Sequence, residues 1–307
     1  MTKPLEYDEL FSRNRGVLSP EKQARLQNAR VLVIGCGGIG GTVTTILARS
    51  GVCNFTLVDP DVFEPTNMNR QIGCFEDTLG KKKVEVIKGE ILRINSKAQV
   101  KALPEVVRLD EFNSWFQEFD LVFPAADDYA YSIMAFRGAR NAGKPALLVV
   151  PAGLWAIVTI LLPDGPTVEQ IHGVPSIEEY EELKKLFVEK KYKMAASFYF
   201  SLGGWDKKYF RAFVEESAPV SQICPAVWLA SSLGALEVTK LISGKEKPVI
   251  APEYWLITKD GISKENTKSL NKYNLMVLQR KAAWKMLQGP ARSIQEKLQQ
   301  KWWERWR

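Results

Sequence analysis

Apolar runs alternate with helical segments along the first half of the chain. RVLVIG begins at residue 30 and FTLVD ends at Asp59, and both runs are strand-like. DLVFPAADD and PALLVVPAG repeat the pattern further along, each after a segment of helical composition. Strands that alternate with helices build a parallel sheet covered on both faces. The pattern therefore predicts an α/β fold, doubly wound and Rossmann-like, with a mainly parallel sheet.

The spacing of apolar residues and the capping residues predict individual helices. Ser19 is placed to cap a helix that starts at Pro20. A second helix, SIEEYEELKKLFVEKK, should open with a capping box formed by Ser176 and Glu179. A third is expected in KKKVEVIKGEILRIN, where four apolar residues recur at helical spacing: Val84, Ile87, Ile91 and Ile94.

The pattern changes after Trp155. AIVTILLP reads as a strand that extends the sheet in mixed fashion, and PEYWLITKDG as a final strand and turn. Between them, a buried helix is expected in PAVWLASSLGALEVTKLISG, closed by Gly244. Residues 195–220 are rich in aromatic side chains and stay unassigned. The last residues predict a helix with four apolar side chains on one face: Ile294, Leu298, Trp302 and Trp306.

Charge is concentrated at the carboxyl end. Residues 264–307 hold eleven Lys and Arg against three Glu, a net +8, so the other 263 residues sum to about −1 of the total +7. A body with a net charge near zero does not have the positive surface that is typical of nucleic-acid binding. An apolar content of 46% is enough for a packed core. No run of eighteen apolar residues or signal peptide is found, so no transmembrane segment is expected.

Cysteine and histidine usage excludes several chemistries. The four cysteines are scattered without a CxxC pair, which argues against a disulfide framework and a Cys-rich zinc site. A reducing cytoplasm is therefore the expected location. His172 is the single histidine, so a His-rich metal site is excluded and a Ser-His-Asp hydrolase is disfavoured. We expect His172 to be a loop residue rather than a catalyst.

A glycine-rich turn follows the first strand. Glycine lets backbone N–H groups approach a phosphate, and the next helix N-terminus favours negative charge. Asp59 lies about twenty residues further on, where a carboxylate can accept hydrogen bonds from ribose hydroxyls. A nucleotide site is predicted, and these residues alone leave ATP and a dinucleotide open. The turn contains five glycines: Gly35, Gly37, Gly38, Gly40 and Gly41.

Further motifs decide between these two nucleotides. TNMNRQ contains Asn67, Arg70 and Gln71, LGKKKVE contains Lys83, and PAADD contains Asp127. With the glycine loop and Asp59, this order resembles the E1-like ThiF/MoeB adenylyltransferase superfamily. The resemblance covers most of residues 10–245.

The resemblance implies an enzyme that uses ATP and Mg²⁺ to adenylate a carboxylate. Negative charge builds on phosphate oxygens in this reaction, so cations must be in place beforehand. By the same resemblance Arg70 and Lys83 supply that charge, and Asp127 holds magnesium or orients the phosphates. Asp59 then holds the ribose and Asn67 helps to position the triphosphate, while Gln71 belongs to the same nucleotide-binding motif.

Arg13 matches the family arginine that reaches into the partner subunit's site, which implies a homodimer. Arg15 competes with Arg13 for this role, and we favour Arg13. Asp128 similarly competes with Asp127, and we favour Asp127. Pro124 stands where many relatives have an acid, which leaves the metal geometry open.

Lys81 and Lys82 are interpreted as solvated neighbours of the catalytic lysine. Cys224 is interpreted as a buried structural thiol, so no obligatory thioester is expected. The zinc-binding cysteine pairs of many relatives are missing, and no zinc is expected.

The motifs identify the superfamily but leave several substrate classes open. We expect a peptide or a small ubiquitin-like protein, in peptide modification or sulfur-carrier biosynthesis. A tRNA-modifying dehydratase is the alternative, mildly favoured by the basic tail and disfavoured by the neutral body. An NAD-dependent oxidoreductase and a non-catalytic module that keeps only the fold are less favoured.

Four segments follow from these patterns. Residues 1–29 form an N-terminal arm and helix, and 30–160 the ATP-binding adenylation core. Residues 161–262 are a helical insertion that returns to the sheet as the substrate-binding half. Residues 263–307 are a basic, Trp-rich helical tail, which either docks a substrate or packs on the body or the dimer partner.

Overall fold

A computed structural model describes residues 5–189, 204–215, 218–288 and 292–305. Its strands form one sheet of eight. They are β1 (Arg30–Ile34), β2 (Asn54–Val58), β3 (Gln99–Leu103), β4 (Leu121–Pro124), β5 (Ala146–Ala152), β6 (Trp155–Leu161), β7 (Glu253–Thr258) and β8 (Gly261–Asn266).

The strand order is β3-β2-β1-β4-β5-β6-β7-β8. Strands β1 to β5 pair in parallel, whereas β6, β7 and β8 join by antiparallel pairing. The chain moves outward from β1 to β3 and then returns to the other side at β4, so a topological switch point lies between β1 and β4. This topology confirms the predicted doubly wound fold with a mixed extension.

Helices cover both faces of the sheet. Those before β5 are α1 (Tyr7–Leu10), α2 (Pro20–Asn28), α3 (Gly40–Ser50), α4 (Lys83–Ile94), α5 (Phe112–Trp115) and α6 (Tyr129–Asn141). Those after β6 are α7 (Val168–His172), α8 (Tyr180–Val188), α9 (Lys207–Glu215), α10 (Cys224–Ser243), α11 (Lys272–Gln288) and α12 (Arg292–Arg305). Short 3₁₀ turns occupy Ser12–Asn14, Pro65–Asn67, Glu76–Thr78, Leu109–Glu111 and Phe116–Glu118.

Residues of β1 alternate between two hydrophobic cores. Val31 and Val33 pack in one core with α3 and α10, while Leu32 and Ile34 pack in the other with α5 and α6. All four are buried, as expected for a parallel strand covered on both faces. Because β1 is held from both faces, the loop that follows its carboxyl end has a fixed position in the site.

Helix α10 packs against α3, β5 and β6, and it ends at Gly244 with φ +64°, as predicted. By length and composition alone α10 could cross a membrane, but half of its most apolar window is buried in the protein. In the described residues no other helix meets that criterion. A Cβ on Gly234 would lie 2.9 Å from Val149, which shows how closely the helix approaches the sheet.

Helix starts were predicted with mixed success. Ser19 caps α2 by accepting a hydrogen bond from Lys22 N–H at 3.4 Å, as predicted. The prediction of a capping box at Ser176 is wrong. Helix α8 begins at Tyr180, and Glu179 is its N-cap. Arg137 Nη1 donates to the Ile177 carbonyl at 2.7 Å, and this bond holds the preceding segment outside the helix.

Three other expectations also fail. His172 is the last residue of α7 rather than a loop residue. The strand β7 is not the last one, because residues from Gly261 turn back and pair with it as β8. The predicted tail therefore starts within a strand; β8 is largely exposed and shows no apolar alternation that would have indicated it. Cys224 is only partly buried.

Some residues to which the sequence analysis assigned no secondary structure lie outside the described ranges. Within the aromatic segment 195–220, the described part includes α9. Residues 195–203 and 216–217 of that segment, and Trp306 of the predicted tail stripe, are not described. Ile294 and Leu298 lie on α12 and are 60% and 54% exposed.

Candidate active site

Three loops meet at the switch point of the sheet. The register pairs Ile34 of β1 with Val58 of β2 and with Pro124 of β4, so the three strands end at one level. Gly35 N–H donates to the Val58 carbonyl, and Ala125 N–H donates to the Ile34 carbonyl, both at 2.7 Å. The residues that directly follow these strands are therefore neighbours in space.

The glycine loop is packed too closely for side chains. Gly35 has φ +98°, and a Cβ there would lie 2.5 Å from the Ala125 carbonyl oxygen. A Cβ on Gly40 would overlap the Gly35 carbonyl oxygen. The turn from β1 into α3 therefore requires glycine at both positions.

Asp59 holds the glycine loop against the second strand. Its Oδ2 accepts a hydrogen bond from Cys36 N–H at 2.7 Å, and its Oδ1 accepts one from Asp61 N–H at 2.9 Å. Burial raises the pKa of Asp59, against the effect of these two N–H donors and of Lys83. Each carboxylate oxygen retains a second lone pair, so Asp59 can still accept a hydrogen bond from a hydroxyl.

Lys83 is a buried cation at the start of α4. Its Nζ lies 2.9 Å from Asp61 Oδ2, and 5% of its side chain is exposed. Burial acts to lower the pKa of Lys83, but the carboxylates of Asp59, Asp61 and Asp127 outweigh it and hold that pKa above its ordinary value. The ammonium group is therefore charged and fixed in position before any nucleotide arrives.

Arg70 is anchored from the carboxyl-terminal half of the chain. Its Nε donates to Gln222 Oε1 at 2.7 Å, and its Nη1 donates to the Thr66 carbonyl at 3.0 Å. Trp228 on α10 donates its indole N–H to the Arg70 carbonyl at 2.9 Å. These bonds fix a second positive charge at the same crevice.

The two adjacent acids after β4 are in different environments. Asp128 caps α6 by accepting from Tyr131 N–H at 3.0 Å, and it also accepts from Tyr180 O–H at 2.8 Å. Lys184 Nζ lies 3.4 Å from the same carboxylate. Asp127 is exposed in the crevice, where its charge helps to hold Lys83 protonated. The geometry thus leaves Asp127 available to a ligand, while Asp128 stabilises the fold.

These groups surround a cavity of about 390 Å³, which we call the nucleotide cavity. Its volume lies in the range of small-molecule sites, roughly 300–1,000 Å³. Seven of the predicted site residues line it: Gly35, Gly37, Gly38, Asp59, Arg70, Lys83 and Asp127. Four other predicted residues do not line it: Arg13, Gly40, Asn67 and Gln71.

Asn67 and Gln71 lie behind the cavity wall. Asn67 Oδ1 accepts from Glu64 N–H at 3.1 Å, and its carbonyl accepts from the N–H groups of Arg70 and Gln71. The Gln71 side chain is buried against the glycine loop, 3.5 Å from where a Cβ of Gly37 would be. Both residues shape the loop that carries Arg70, and a direct contact with nucleotide stays a prediction.

The cavity residues that the sequence did not anticipate include Tyr131, Tyr180, Lys184 and Gln222. Tyr180 and Lys184 are one turn apart on α8, and the Lys184 ammonium lies 5.2 Å from the centre of the Tyr180 ring. The sequence predicted that helix, but its spacing carried no sign that this face would turn toward β4.

The donor set suits a magnesium ion that is shared with a nucleotide. Mg²⁺ is usually bound through one or two carboxylates plus phosphate oxygens and water. Asp127 provides an accessible carboxylate beside the glycine loop and Lys83. In the described ranges no group of three His, Cys, Asp or Glu side chains could hold a metal by protein atoms alone. The phosphates would have to complete the coordination.

A glycine loop, an acid at the end of β2 and fixed cations at the switch point define an α/β protein of the nucleotide-binding, doubly wound class. A model of the ThiF family matches residues 11–275. The chain therefore belongs to the ThiF family, which confirms the resemblance seen in its motifs.

Curated relatives include proteins of different activities. The tRNA threonylcarbamoyladenosine dehydratase of Bacillus subtilis (strain 168) is 37% identical over 124 residues, which cover 40% of this chain and 49% of that protein. The vegetative protein HesA of Trichormus variabilis is 29% identical over 245 residues, covering 78% of this chain and 79% of HesA. The chain thus spans about half the length of the curated dehydratase and most of HesA.

Solved structures of similar fold include E. coli MccB with ATP, at 25% identity and a TM-score of 0.63, covering 86% of this chain and 73% of MccB. The microcin C7 biosynthetic enzyme MccB in complex with N-formylated MccA matches at 25% identity and a TM-score of 0.64, covering 86% and 74%. The chain has the adenylyltransferase-like fold of this family.

Proposed function

We propose that this chain is an ATP-dependent adenylyltransferase. It activates a carboxylate, or an amide, of a peptide or small ubiquitin-like protein as an acyl-adenylate. The observation that carries the proposal is the nucleotide cavity at the switch point, where Arg70 and Lys83 are fixed beside an accessible Asp127. This arrangement provides cations for phosphate charge and a carboxylate for a metal ion before substrate binds.

The proposed reaction is an in-line transfer at the α-phosphate. A substrate carboxylate oxygen forms a bond to the α-phosphorus, while the bond from that phosphorus to the bridging oxygen of the β-phosphate breaks. Pyrophosphate leaves, and the acyl group is joined to AMP. Arg70 and Lys83 stabilise the negative charge on the phosphate oxygens, and Asp59 orients the ribose. A magnesium ion held by Asp127 would supply further Lewis acidity at the phosphates.

The similarity to MccB supports a peptide substrate. MccB has been solved with ATP, and with MccA in a form that contains selenomethionine, an amino-acid residue. The chain also offers space for a second ligand, because a cavity of about 650 Å³ adjoins the nucleotide cavity. A nucleotide and an acyl substrate can therefore occupy neighbouring sites.

A tRNA-modifying dehydratase is the second candidate. It is supported by the 37% identity to the Bacillus subtilis dehydratase over 124 residues. The basic tail offers charge for a phosphate backbone. The rest of the chain has almost no net charge, and we therefore place this function second.

We also propose a homodimer in which Arg13 completes the partner's site. Arg13 is exposed and does not line the nucleotide cavity of its own subunit. Helix α10 presents Trp228, Leu229 and Leu236 at 41%, 40% and 47% exposure, an apolar face suited to a partner.

Mixing of inactive variants tests the shared site. Arg13→Ala and Asp127→Ala should each be inactive alone. Random exchange of subunits should then restore about a quarter of the wild-type sites, because one site of each heterodimer has neither defect. Arg15→Ala is the matched control and should stay active alone. No recovery on mixing, or an inactive Arg15→Ala with an active Arg13→Ala, would reject Arg13 as the residue in trans.

ATP–pyrophosphate exchange tests the main proposal. The assay is run with size fractions of an extract from the source cells. Exchange stimulated by a peptide or small-protein fraction is the expected result, and it also delivers the substrate for sequencing. AMP formation that needs tRNA, with no exchange from the other fractions, would favour the dehydratase. Protection against thermal unfolding by NAD but not by ATP would refute both.

A further inference from the structure

A second cavity of about 650 Å³ opens from the nucleotide cavity, and we call it the acyl cavity. The two share Arg70, Asp127, Lys184 and Gln222 as wall residues, so they meet beside the proposed metal ligand. The shared wall is where an acyl group must lie if it is to reach the α-phosphate.

A divergence of two strands accounts for the position of the acyl cavity. Strands β4 and β5 pair through Val122 and Ala146. Pro124, two residues further along β4, has no N–H to continue the ladder. The acyl cavity lies beside Pro124 and is lined by β5 from Leu148 to Ala152. Pro124, which stands where many relatives have an acid, thus borders a cavity that can hold a second ligand.

The walls of this cavity are mostly apolar, and its polar lining extends beyond the residues that it shares with the nucleotide cavity. Trp155, Phe187 and Phe213 belong to the apolar wall. Tyr129, His172 and Arg280 add polar groups, and Arg280 comes from α11 in the last fifth of the chain. A largely apolar pocket with a few placed polar groups is the usual form of a specific ligand site.

Arg280 brings a fixed positive charge to the acyl cavity. It is 6% exposed, and its Nη1 donates to the His172 carbonyl at 3.2 Å. Burial lowers the pKa of Arg280 to about 10, so it stays protonated at neutral pH. Burial also lowers the pKa of His172 to about 3, with the Arg280 charge as a second cause, so His172 is neutral. The guanidinium is thus the charged group among these three.

Tyr129 adds a hydroxyl to the same cavity. Its oxygen is buried and has no hydrogen-bond partner in the part of the chain that the structure describes. Its ring packs edge-on against His172 at 5.8 Å and Phe187 at 5.0 Å between centroids, which fixes its direction. Burial raises the pKa of Tyr129, so the hydroxyl remains a donor. A buried hydroxyl without a partner costs free energy that a ligand can recover.

We propose that the acyl cavity recognises a carboxylate on the substrate that is separate from the carboxyl group that reacts, and that Arg280 and Tyr129 bind it. This inference rests on the proposed function. The substrate class is then a peptide or protein segment with an acidic side chain next to the activated group. Arg280 provides the positive charge for a carboxylate, and Tyr129 donates to one of its oxygens.

Isosteric probes test this recognition without the natural substrate. N-acetyl-glutamate N-methylamide carries one carboxylate and no free terminus, and the glutamine counterpart differs only by that charge. Each is titrated by calorimetry into the full chain that is saturated with Mg²⁺ and a non-hydrolysable ATP analogue. The glutamate probe should bind about tenfold more tightly, because a hydrogen bond to a charged group is about twice as strong as a neutral one.

Variants locate that preference. Arg280→Gln should reduce the glutamate preference to about twofold or less while leaving affinity for the ATP analogue unchanged. Lys281→Gln is the matched control, because it removes the same charge from an exposed neighbour on α11 and should keep the preference. If Arg280→Gln does not fold, Tyr129→Phe provides the test, with a loss of about threefold or more in glutamate affinity.

Two results would overturn the inference. One is equal affinity for the two probes in the wild-type chain, and the other is a preference that survives in both Arg280→Gln and Tyr129→Phe. The same titrations without nucleotide keep the inference separate from the proposed function. If the ATP analogue fails to bind but the glutamate preference persists and needs Arg280, the anion site stands and the adenylyltransferase proposal fails.

Discussion

The parallel and antiparallel parts of the sheet build their polar sites in different ways. In the parallel part, the cavity groups follow the ends of β1, β2 and β4 within three residues, as with Gly35, Asp59 and Asp127. In the part that begins at β6, the polar groups come from distant segments, such as His172 on α7 and Arg280 on α11. The first arrangement follows from strand order, and the second depends on how helices pack.

Under the proposed function, this difference separates the residues that bind the nucleotide from those that select the substrate. Parallel strands that end at one level bring successive loops together, so the nucleotide cavity is fixed by local motifs. The later segments close that cavity with Tyr180, Lys184 and Gln222 and form much of the acyl cavity. We infer that the first region fixes the use of a nucleotide and that the second decides which acyl group is presented.

Buried polar groups in the later region can also be purely structural. Glu237 on α10 is fully buried and accepts hydrogen bonds from Val249 N–H at 2.7 Å and from the Trp255 indole N–H at 2.8 Å. Lys240 Nζ lies 2.8 Å from the same carboxylate. This group joins α10 to β7 and lines neither cavity.

The largest expected effect comes from the adjacent acids after β4. Asp127→Ala should lower pyrophosphate exchange by about a thousandfold or more, because the proposed metal ligand at the phosphates is lost. Its unfolding free energy should be nearly unchanged. Asp128→Ala should instead cost about 1 kcal/mol of stability through the lost cap of α6. Exchange rates and denaturant unfolding of both variants check the pair, and a reversed pattern would exchange their roles.

Glu237→Ala tests the structural role in the later region. It leaves three donors without their acceptor and should cost about 2–4 kcal/mol of unfolding free energy. Affinity for the ATP analogue should persist in the folded fraction. Glu246→Ala, an exposed acid just beyond the same helix, should change stability by less than about 0.5 kcal/mol. Urea unfolding measures both, and equal effects would reject the role of Glu237.

Two glycines sharpen the comparison within the parallel region. Gly40→Ala should destabilise the fold by about 1–3 kcal/mol and weaken nucleotide binding, because its Cβ meets backbone. Gly89 lies exposed on α4, and a Cβ there would meet no atom of a described neighbour within 4 Å. Gly89→Ala should therefore stabilise the protein by about 0.5–1 kcal/mol. Thermal unfolding with and without ATP analogue distinguishes the two.

A pH dependence of the free energy of unfolding belongs to His172. Its pKa is lowered from 6.5 to about 3 in the folded protein, so the unfolded chain binds more protons between these values. Stability should therefore fall on acidification through this window, by about 1.4 kcal/mol per pH unit from this group. His172→Gln removes the only histidine, and its unfolding free energy should lose that part of the slope between pH 6 and 5. An unchanged slope would show that His172 can be protonated in the folded state.

The sequence by itself determined the parallel core and the loops that carry seven residues of the nucleotide cavity. Gly35, Asp59 and Asp127 are each the first or an early residue after a buried strand, so their order along the chain is also their order in space. Strand burial on both faces and the demand for glycine at a close turn are local properties, and local properties can be read from residue types and spacing.

Tertiary structure decided what lies opposite those loops. Tyr180 and Lys184 turn toward Asp128, and Arg280 reaches the acyl cavity from α11, across more than a hundred residues of chain from Tyr129. The sequence likewise did not predict the hairpin of β7 and β8 or the start of α8 at Tyr180. These features depend on contacts between distant segments, and the periodicity of one segment does not specify the partner that its polar face will meet.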